Sequence, residues 1–528
     1  MTTPVLVITP WFPTADRPYY GAFVVDWVRA LQLTGADVTV LHADHEPGGT
    51  ASSFSTDTQD GLTVHRLTAP VPSNPTPVQI ADALALALRT HAQPLLDAAQ
   101  LVHCHVTFPM GWAVAQVLPA ETRVVITEHS SKLDFYFSKD ETRQRYVETL
   151  LRAASCLTVS ESVAAKIRAQ LPADRADLVV PVGNPVPFER LALRQREVNR
   201  LRRWLYVGNL VSGKGVEDVL EAFAVACEQA SAPGEEPLRL TIVGDGVLRE
   251  ELGARAERLT PGRVEFRGAV EPSLVPSVMA EHDLLVHLSR AETFGMTAVE
   301  AVSTGLPVIV TRCGGPEETL AHAADLGAAT LVPLPPGPER VMQHYRRLLR
   351  TVDGVDWQTV RRVLELRYSP RSIANALDRA LQLDSDRARA GAPADRPLAY
   401  AIAADAVGLR AVQGASVTLA GLEVRTTSVI DAIRQRRLKA GAFLALTSRL
   451  PVPSLQRQAV RWWLTRRPRS ARRALAPLVP PGAAFVVADD FVAASMTTPT
   501  SEVPVVLASD RGRLWAHVAR VLQAEARL

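Results

Sequence analysis

Short apolar runs alternate with longer amphipathic stretches from the start of the chain, the pattern of strand–helix–strand units that build a parallel sheet covered on both faces. Val5–Thr9, Val38–His42, Val102–Cys104, Val124–Thr127, Cys156–Val159 and Leu178–Val180 predict strands. Between them, Ala22–Leu33, Ala81–Ala99 and Ser162–Ala169 carry helical periodicity and are long enough for right-handed crossovers. Pro185–Arg203 breaks the rhythm with prolines and charge. The alternation then restarts with strands at Trp204–Val207, Leu238–Val243, Val264–Phe266, Leu284–His287 and Val308–Thr311, and helices at Val216–Ala230, Leu248–Arg258, Thr297–Thr304, Pro338–Leu349 and Arg371–Leu383. The fold class is therefore α/β, with two Rossmann-like doubly wound sheets in succession. The expected domains are 1–187 and 188–370, followed by a helix at 371–384, a flexible linker at 385–397 and a small C-terminal domain of uncertain fold at 398–528.

A length of 528 residues allows three or four domains at roughly 100–200 residues each. Hydrophobic residues at 47% against 21% charged exclude a largely disordered chain. No run of eighteen apolar residues occurs, and Met1-Thr2-Thr3-Pro4 lacks the basic start of a signal peptide, so a cytoplasmic location is expected. Cys104, Cys156, Cys227 and Cys313 show no short paired spacing and predict reduced thiols rather than disulfides or zinc ligands. Of 58 basic residues only five are lysines, which makes a lysine inside a motif informative.

Three loops carry candidate chemistry. Glu292-Thr-Phe-Gly-Met-Thr-Ala-Val-Glu300 follows a strand and enters a helix, so that Glu292 belongs to the loop and Glu300 to the helix, and both can address one ligand. Phe294, Gly295 and Met296 offer backbone N–H groups at the helix start; a solvated helix N-terminus is the bland alternative. Gly208-Asn-Leu-Val-Ser-Gly-Lys214-Gly215 nearly matches the phosphate loop G-x-x-x-x-G-K-[S/T], but Gly215 stands where a hydroxyl would hold magnesium. A magnesium-dependent NTPase, a phosphate-contacting lysine in another fold and a chance surface lysine all remain open on those residues. The turns at Gly244-Asp245-Gly246 and Cys313-Gly314-Gly315-Pro316-Glu317-Glu318 are weaker signals. In the first half, the long loop Trp11–Gly21 ends before a helix, and His105 and Glu128-His129 follow predicted strands, where a histidine is either structural or part of a site.

In this order and spacing, Tyr206–Glu221, Leu240–Leu252 and Ser289–Glu318 resemble the donor-binding half of the family 4 retaining glycosyltransferases of GT-B fold. Gly21, Thr127-Glu128-His129 and Thr158-Val159-Ser160-Glu161 resemble their acceptor half, and the likeness covers about residues 4–384. The resemblance implies two domains facing across a cleft and metal-independent transfer of a sugar from a UDP-, GDP- or ADP-sugar to an acceptor hydroxyl, with no cofactor and no metal site. It assigns the transferred sugar to Glu292 and the N–H groups of Phe294, Gly295 and Met296, the donor ribose to Glu300, and the diphosphate to Lys214; backbone donors of the loop ending at Gly21 are also placed to face that diphosphate. It puts His129 at the reacting face of the sugar, where it would help stabilise positive charge, and His105 and Glu128 on the acceptor side. Asn209 occupies the place of the family's usual arginine among the donor-binding residues, which leaves one cation fewer for the leaving group. A scaffold subunit that binds sugar nucleotides without turnover, or an epimerase of the same fold, is the rival reading.

Residues 397–528 carry 18 basic and 8 acidic side chains, whereas residues 1–396 carry 40 and 47. Twelve cations, with Phe443, Trp462 and Trp463 among them, fall in the segment 434–473, which holds no carboxylate. Such a stretch suits a solvated face, a dock for the acidic body or an anchor on an anionic membrane carrying a lipid-linked acceptor. Nucleic acid is disfavoured because no recognition motif accompanies the charge. The only Asp-x-Asp, Asp384-Ser385-Asp386, falls where the linker begins.

Overall fold

The computed structural model describes residues 3–17, 20–194, 201–229 and 236–381, together with four strands beyond them. The chain divides into two compact units, Met1–Gly391 and Ala392–Leu528.

The first unit contains two sheets. One is built from β1 (Pro4–Thr9), β2 (Asp37–Pro47), β3 (Ser53–Gln59), β4 (Leu62–Val71), β5 (Leu101–His105), β6 (Arg123–Glu128), β7 (Ser155–Thr158) and β8 (Val179–Pro181), in the order β3-β4-β2-β1-β5-β6-β7-β8. Only β3 runs against its neighbour. The other comprises β9 (Arg203–Val207), β10 (Arg239–Val243), β11 (Val264–Gly268), β12 (Leu284–His287), β13 (Val308–Thr311) and β14 (Ala329–Val332), all parallel, in the order β11-β10-β9-β12-β13-β14. Strand order reverses at β1/β5 and at β9/β12. In open parallel sheets the carboxyl ends at such reversals form the ligand crevice, because adjacent loops leave in opposite directions there.

Several elements went unpredicted, among them β3, β4, β14 and the helices Asp140–Arg152 and Trp357–Tyr368. β3 reads Ser-Phe-Ser-Thr-Asp-Thr-Gln and is exposed on both faces, so as an edge strand it carries no alternation; Asp60-Gly61, both at positive φ, folds it onto β4. β14 spans only four residues, and the helix Trp357–Tyr368 was not foreseen. The expected single helix at 81–99 is two, Pro77–His91 and Gln93–Asp97, with a break before Pro94. The first of these begins on a capping box between Thr76 and Gln79.

The halves are joined by two stretches of chain lying side by side. Val186 N–H donates to the Tyr368 carbonyl at 2.7 Å. The Arg361 guanidinium donates to the carbonyls of Phe188 (2.6 Å), Ser303 (3.1 Å) and Leu191, tying the first connection to the second half. The helix Pro370–Leu381 then packs back on Ala22–Gln32, and Arg123 Nη2 holds the carbonyl of Ala380 at 3.1 Å.

In the second unit, β15 (Leu398–Ala403), β16 (Glu423–Ser428), β17 (Ala483–Ala488) and β18 (Val505–Leu507) form a parallel sheet in the order β16-β15-β17-β18. The basic segment 434–473 and Asp384-Ser385-Asp386 lie outside the described residues. Among the described residues no helix is long and apolar enough to cross a membrane.

Gly215 explains why the phosphate-loop hydroxyl is missing. Its φ is +71°, and a Cβ there would sit 2.0 Å from the carbonyl oxygen of Leu288. Gly215→Ser, which completes the phosphate-loop spacing on paper, should therefore destabilise the fold by more than about 2 kcal/mol. Urea unfolding measures it; an unchanged midpoint would mean that the backbone yields at no cost.

Candidate active site

A cavity of about 300 Å³ opens between the two sheets. From the second half it takes Val207, Gly208 and Asn209 after β9, then Lys214, His287 at the end of β12, and the run Glu292–Ala298. The first half contributes Phe23 and His129, and the connection contributes Asn184.

Glu292 is its most heavily tied side chain. Oε1 accepts from Lys214 Nζ at 2.7 Å and from His287 Nε2 at 3.0 Å. Burial opposes ionisation, but the hydrogen bond and charge from His287 and the Lys214 ammonium outweigh it and hold the carboxyl down to about 2. The backbone is fixed as well: Glu292 N–H donates to the Cys313 carbonyl at 3.2 Å, and Gly315 N–H donates to the Glu292 carbonyl at 2.8 Å. The Cys313–Gly315 turn, a weak signal by itself, thus braces the Glu292 loop.

Beyond Glu292 the chain turns at Gly295, φ +84°, into the helix Met296–Ser303. The first N–H groups of a helix have no intrahelical acceptor, so this end offers donors to an anion in the cavity. Phe294 contributes only backbone there, because its ring is buried against Tyr368 with centroids 4.9 Å apart.

On the opposite wall, Glu128 departs from the acceptor-side role implied for it. It is fully buried, and its carboxylate accepts from the N–H groups of Thr107 (3.0 Å), His129 (2.9 Å) and Ser130 (2.8 Å) and from the Tyr146 hydroxyl (2.7 Å). Four donors leave it no capacity for an acceptor; it shapes the loop that presents His129. His105 is likewise buried, behind His129, with Nδ1 2.9 Å from His129 Nε2. His103 continues the row, its Nε2 2.7 Å from Thr127 Oγ1. Burial holds His103 and His129 down to about 3, with the proximity of His103 adding to the effect on His129, and burial together with His103 and His129 pushes His105 well below its usual value. His129 is therefore neutral at physiological pH, and it lines the cavity as expected.

Gly21, φ +75°, is not among the cavity's lining residues. A Cβ there would lie 2.5 Å from the Trp11 carbonyl carbon, so it permits close packing of the loop against the helix, and Phe23 reaches the cavity instead. Glu300 lies two residues beyond Ala298, the last cavity-lining residue of its helix, and is half-buried; burial and the charge of Asp26 raise its carboxyl to about 7. Asn209 lines the cavity, and its carbonyl accepts from the Tyr206 hydroxyl at 3.2 Å. Sequence reading missed His287, Asn184 and Phe23. The signal that flagged His105, a histidine at a strand's carboxyl end, applies equally to His287. Asn184 and Phe23 carry no such mark, and tertiary contacts place them: Trp27 Nε1 donates to Asn184 Oδ1 at 3.0 Å, and the Phe23 ring lies 5.0 Å from His129.

Residues 20–185 match the glycosyl transferase 4-like domain and residues 193–350 match glycosyl transferases group 1, together well over half of the chain. An uncharacterized glycosyltransferase of Methanocaldococcus jannaschii is 26% identical over 43% of this chain and 61% of its own length. Mannosylfructose-phosphate synthase of Agrobacterium fabrum is 33% identical over 24% of this chain and 29% of its own length. The chain thus spans less than two thirds of either relative. The Anabaena protein HepE, solved in complex with UDP and glucose, superimposes with a TM-score of 0.52 at 17% identity, covering 72% of this chain and 99% of that one.

The histidine row predicts acid lability. An unfolded histidine protonates near 6.5, whereas these three stay neutral far below that in the fold. Their contribution to stability is complete above about pH 6.5 and drains as pH falls, at up to about 1.4 kcal/mol per unit for each site. Glu300 acts oppositely, losing stability as pH rises from 4.5 to about 7, but as one site against three. Melting temperature should fall from pH 7.5 to pH 5, and His103→Phe should flatten that slope; equal slopes in both proteins would refute the assignment.

Proposed function

We propose, for a chain that belongs to the group 1 glycosyltransferases of family 4 and GT-B fold, that it moves a sugar from a nucleoside diphosphate to an acceptor hydroxyl with retention and without a metal. The observation that supports this most is the convergence of Lys214, Glu292 and the helix start at Gly295–Met296 on one cavity at the β9/β12 reversal. A leaving diphosphate needs fixed positive charge, and the Lys214 ammonium with preorganised backbone N–H groups provides it without reorganisation. Glu292, ionised and held by His287, accepts hydroxyl hydrogen bonds from the sugar, and Glu300 accepts those of the ribose. With Asn209 in place of a cation and Lys214 already paired, the incoming diphosphate competes with Glu292 for the ammonium. The acceptor proton passes to the leaving phosphate, since His129 has its Nε2 committed to His105 and Glu128 is saturated.

UDP-, GDP- and ADP-sugars are the donors to compare, UDP first because HepE was solved with UDP and glucose. The matching donor should raise the melting temperature in proportion to the logarithm of its concentration and release nucleoside diphosphate. Stabilisation without release would favour the scaffold reading; no stabilisation by any sugar nucleotide would end both. The basic segment 434–473 carries the second half of the proposal, contact with an anionic membrane bearing a lipid-linked acceptor, and vesicle binding by the full chain should then be lost at high salt.

Lys214→Ala should lower kcat/KM by about 10²- to 10³-fold, the usual cost of removing one preorganised contact to developing charge. Glu300→Ala should raise KM for the donor more than it lowers kcat. Wild-type activity should survive EDTA; loss of turnover that magnesium restores would overturn the metal-independent mechanism.

A further inference from the structure

His105 has no place in the chemistry above, yet it touches the one histidine of the first half that lines the cavity. Its Nδ1 lies 2.9 Å from His129 Nε2, and the ring planes are 20° apart. With both rings uncharged, that contact holds a single proton, so one ring donates and the other accepts. The second nitrogen of His105 decides which. His105 Nε2 is buried and has no hydrogen-bond partner. Trp27, whose ring centroid is 5.9 Å away, cannot supply one, because its Nε1–H is directed to Asn184.

If His129 Nε2 donated, the His105 proton would have to sit on Nε2, as a buried N–H with no acceptor. If His105 Nδ1 donates, Nε2 keeps only a bare lone pair. Buried orphan donors are rarer in folded proteins than under-satisfied acceptors, so the second arrangement prevails.

We infer that His105 is a positioning residue that fixes His129 in the Nδ1–H tautomer, so that His129 offers the cavity a neutral hydrogen-bond donor rather than a base. Resting on the glycosyltransferase reading, this gives the donor its object: a hydroxyl oxygen of the transferred sugar. An N–H aimed at the anomeric carbon would oppose the charge developing there, so the contact lies elsewhere on the ring. Thr127, which ties down His103, and Glu128, which shapes the His129 loop, keep the row in register from the same strand, β6.

The tautomer is read directly by long-range ¹H–¹⁵N spectra of the full chain labelled on histidine nitrogens, at pH 7.5 and without substrate, with His129→Gln identifying the resonances. The inference expects His129 with its proton on Nδ1 in the wild-type protein. It expects His105→Phe to shift His129 toward Nε2–H, and His105→Gln, whose amide N–H can still donate, to restore the wild-type pattern. With a turned-over donor, His105→Phe should lose about 10- to 100-fold in kcat with little change in KM, and His105→Gln should recover most of it. A wild-type His129 protonated on Nε2, or an unchanged tautomer in His105→Phe, would overturn the inference. Because the spectra need neither substrate nor a variant for the first result, they decide it even if no sugar nucleotide proves to be a donor.

Discussion

The carboxylate of Glu292 is the point on which the donor side of the cavity depends. Lys214 arrives from the loop after β9 and His287 from the end of β12, and both are bound to the carboxylate; Gly315, from the turn after β13, holds the backbone carbonyl of the same residue. Loops leaving different strands have no reason of their own to converge, and loop entropy opposes it. For Lys214 and His287 a buried charge that requires partners supplies the reason, since an unpaired one is costly. The same pairing keeps the ammonium occupied until a stronger anion arrives, so the ground state of the site is already electrically complete.

The first half uses polar burial in another way. Glu128 is ringed by four hydrogen-bond donors, whereas burial holds His103, His105 and His129 in their uncharged form. Side by side on neighbouring strands, these groups form a buried row that reaches the cavity only at His129. A wall presenting a neutral ring selects by direction rather than by charge, which suits a sugar, whose features are hydroxyls pointing different ways. The opposite wall carries the paired charges of Lys214 and Glu292, which under the proposed function would meet the ionic end of the donor.

Most strands of the two sheets were legible because they are buried and read as apolar runs of the right length, and most predicted boundaries lie within two residues of those observed, as at Leu284–His287 and Val308–Thr311, but β4 and β14 were missed. β3 was missed as well, since an exposed edge strand of Ser, Thr, Asp and Gln has no core to mark it. At the site, Glu292, Lys214 and the Gly295 turn were legible from motif spacing and line the cavity. Glu128 and Gly21 were legible only as residues that matter; the hydrogen-bond count of one and the 2.5 Å approach at the other turned supposed ligand contacts into supports. Spacing along a chain tells which end of a strand a side chain occupies, but not how many donors already surround it.

The two chain crossings between the halves run beside each other, bonded from Val186 to Tyr368. Gly183, at φ +92°, allows this closeness, for a Cβ there would meet the Tyr368 ring at 2.6 Å. Paired crossings tie the halves together at one edge and so limit how the two sheets can be set against each other. Asn184, next in the chain to Gly183, lines the cavity beside this joint, and His129 and Glu292 line it from the two halves. The joint therefore acts as a spacer, and a ligand that touches both walls is one whose length matches the gap that the joint sets.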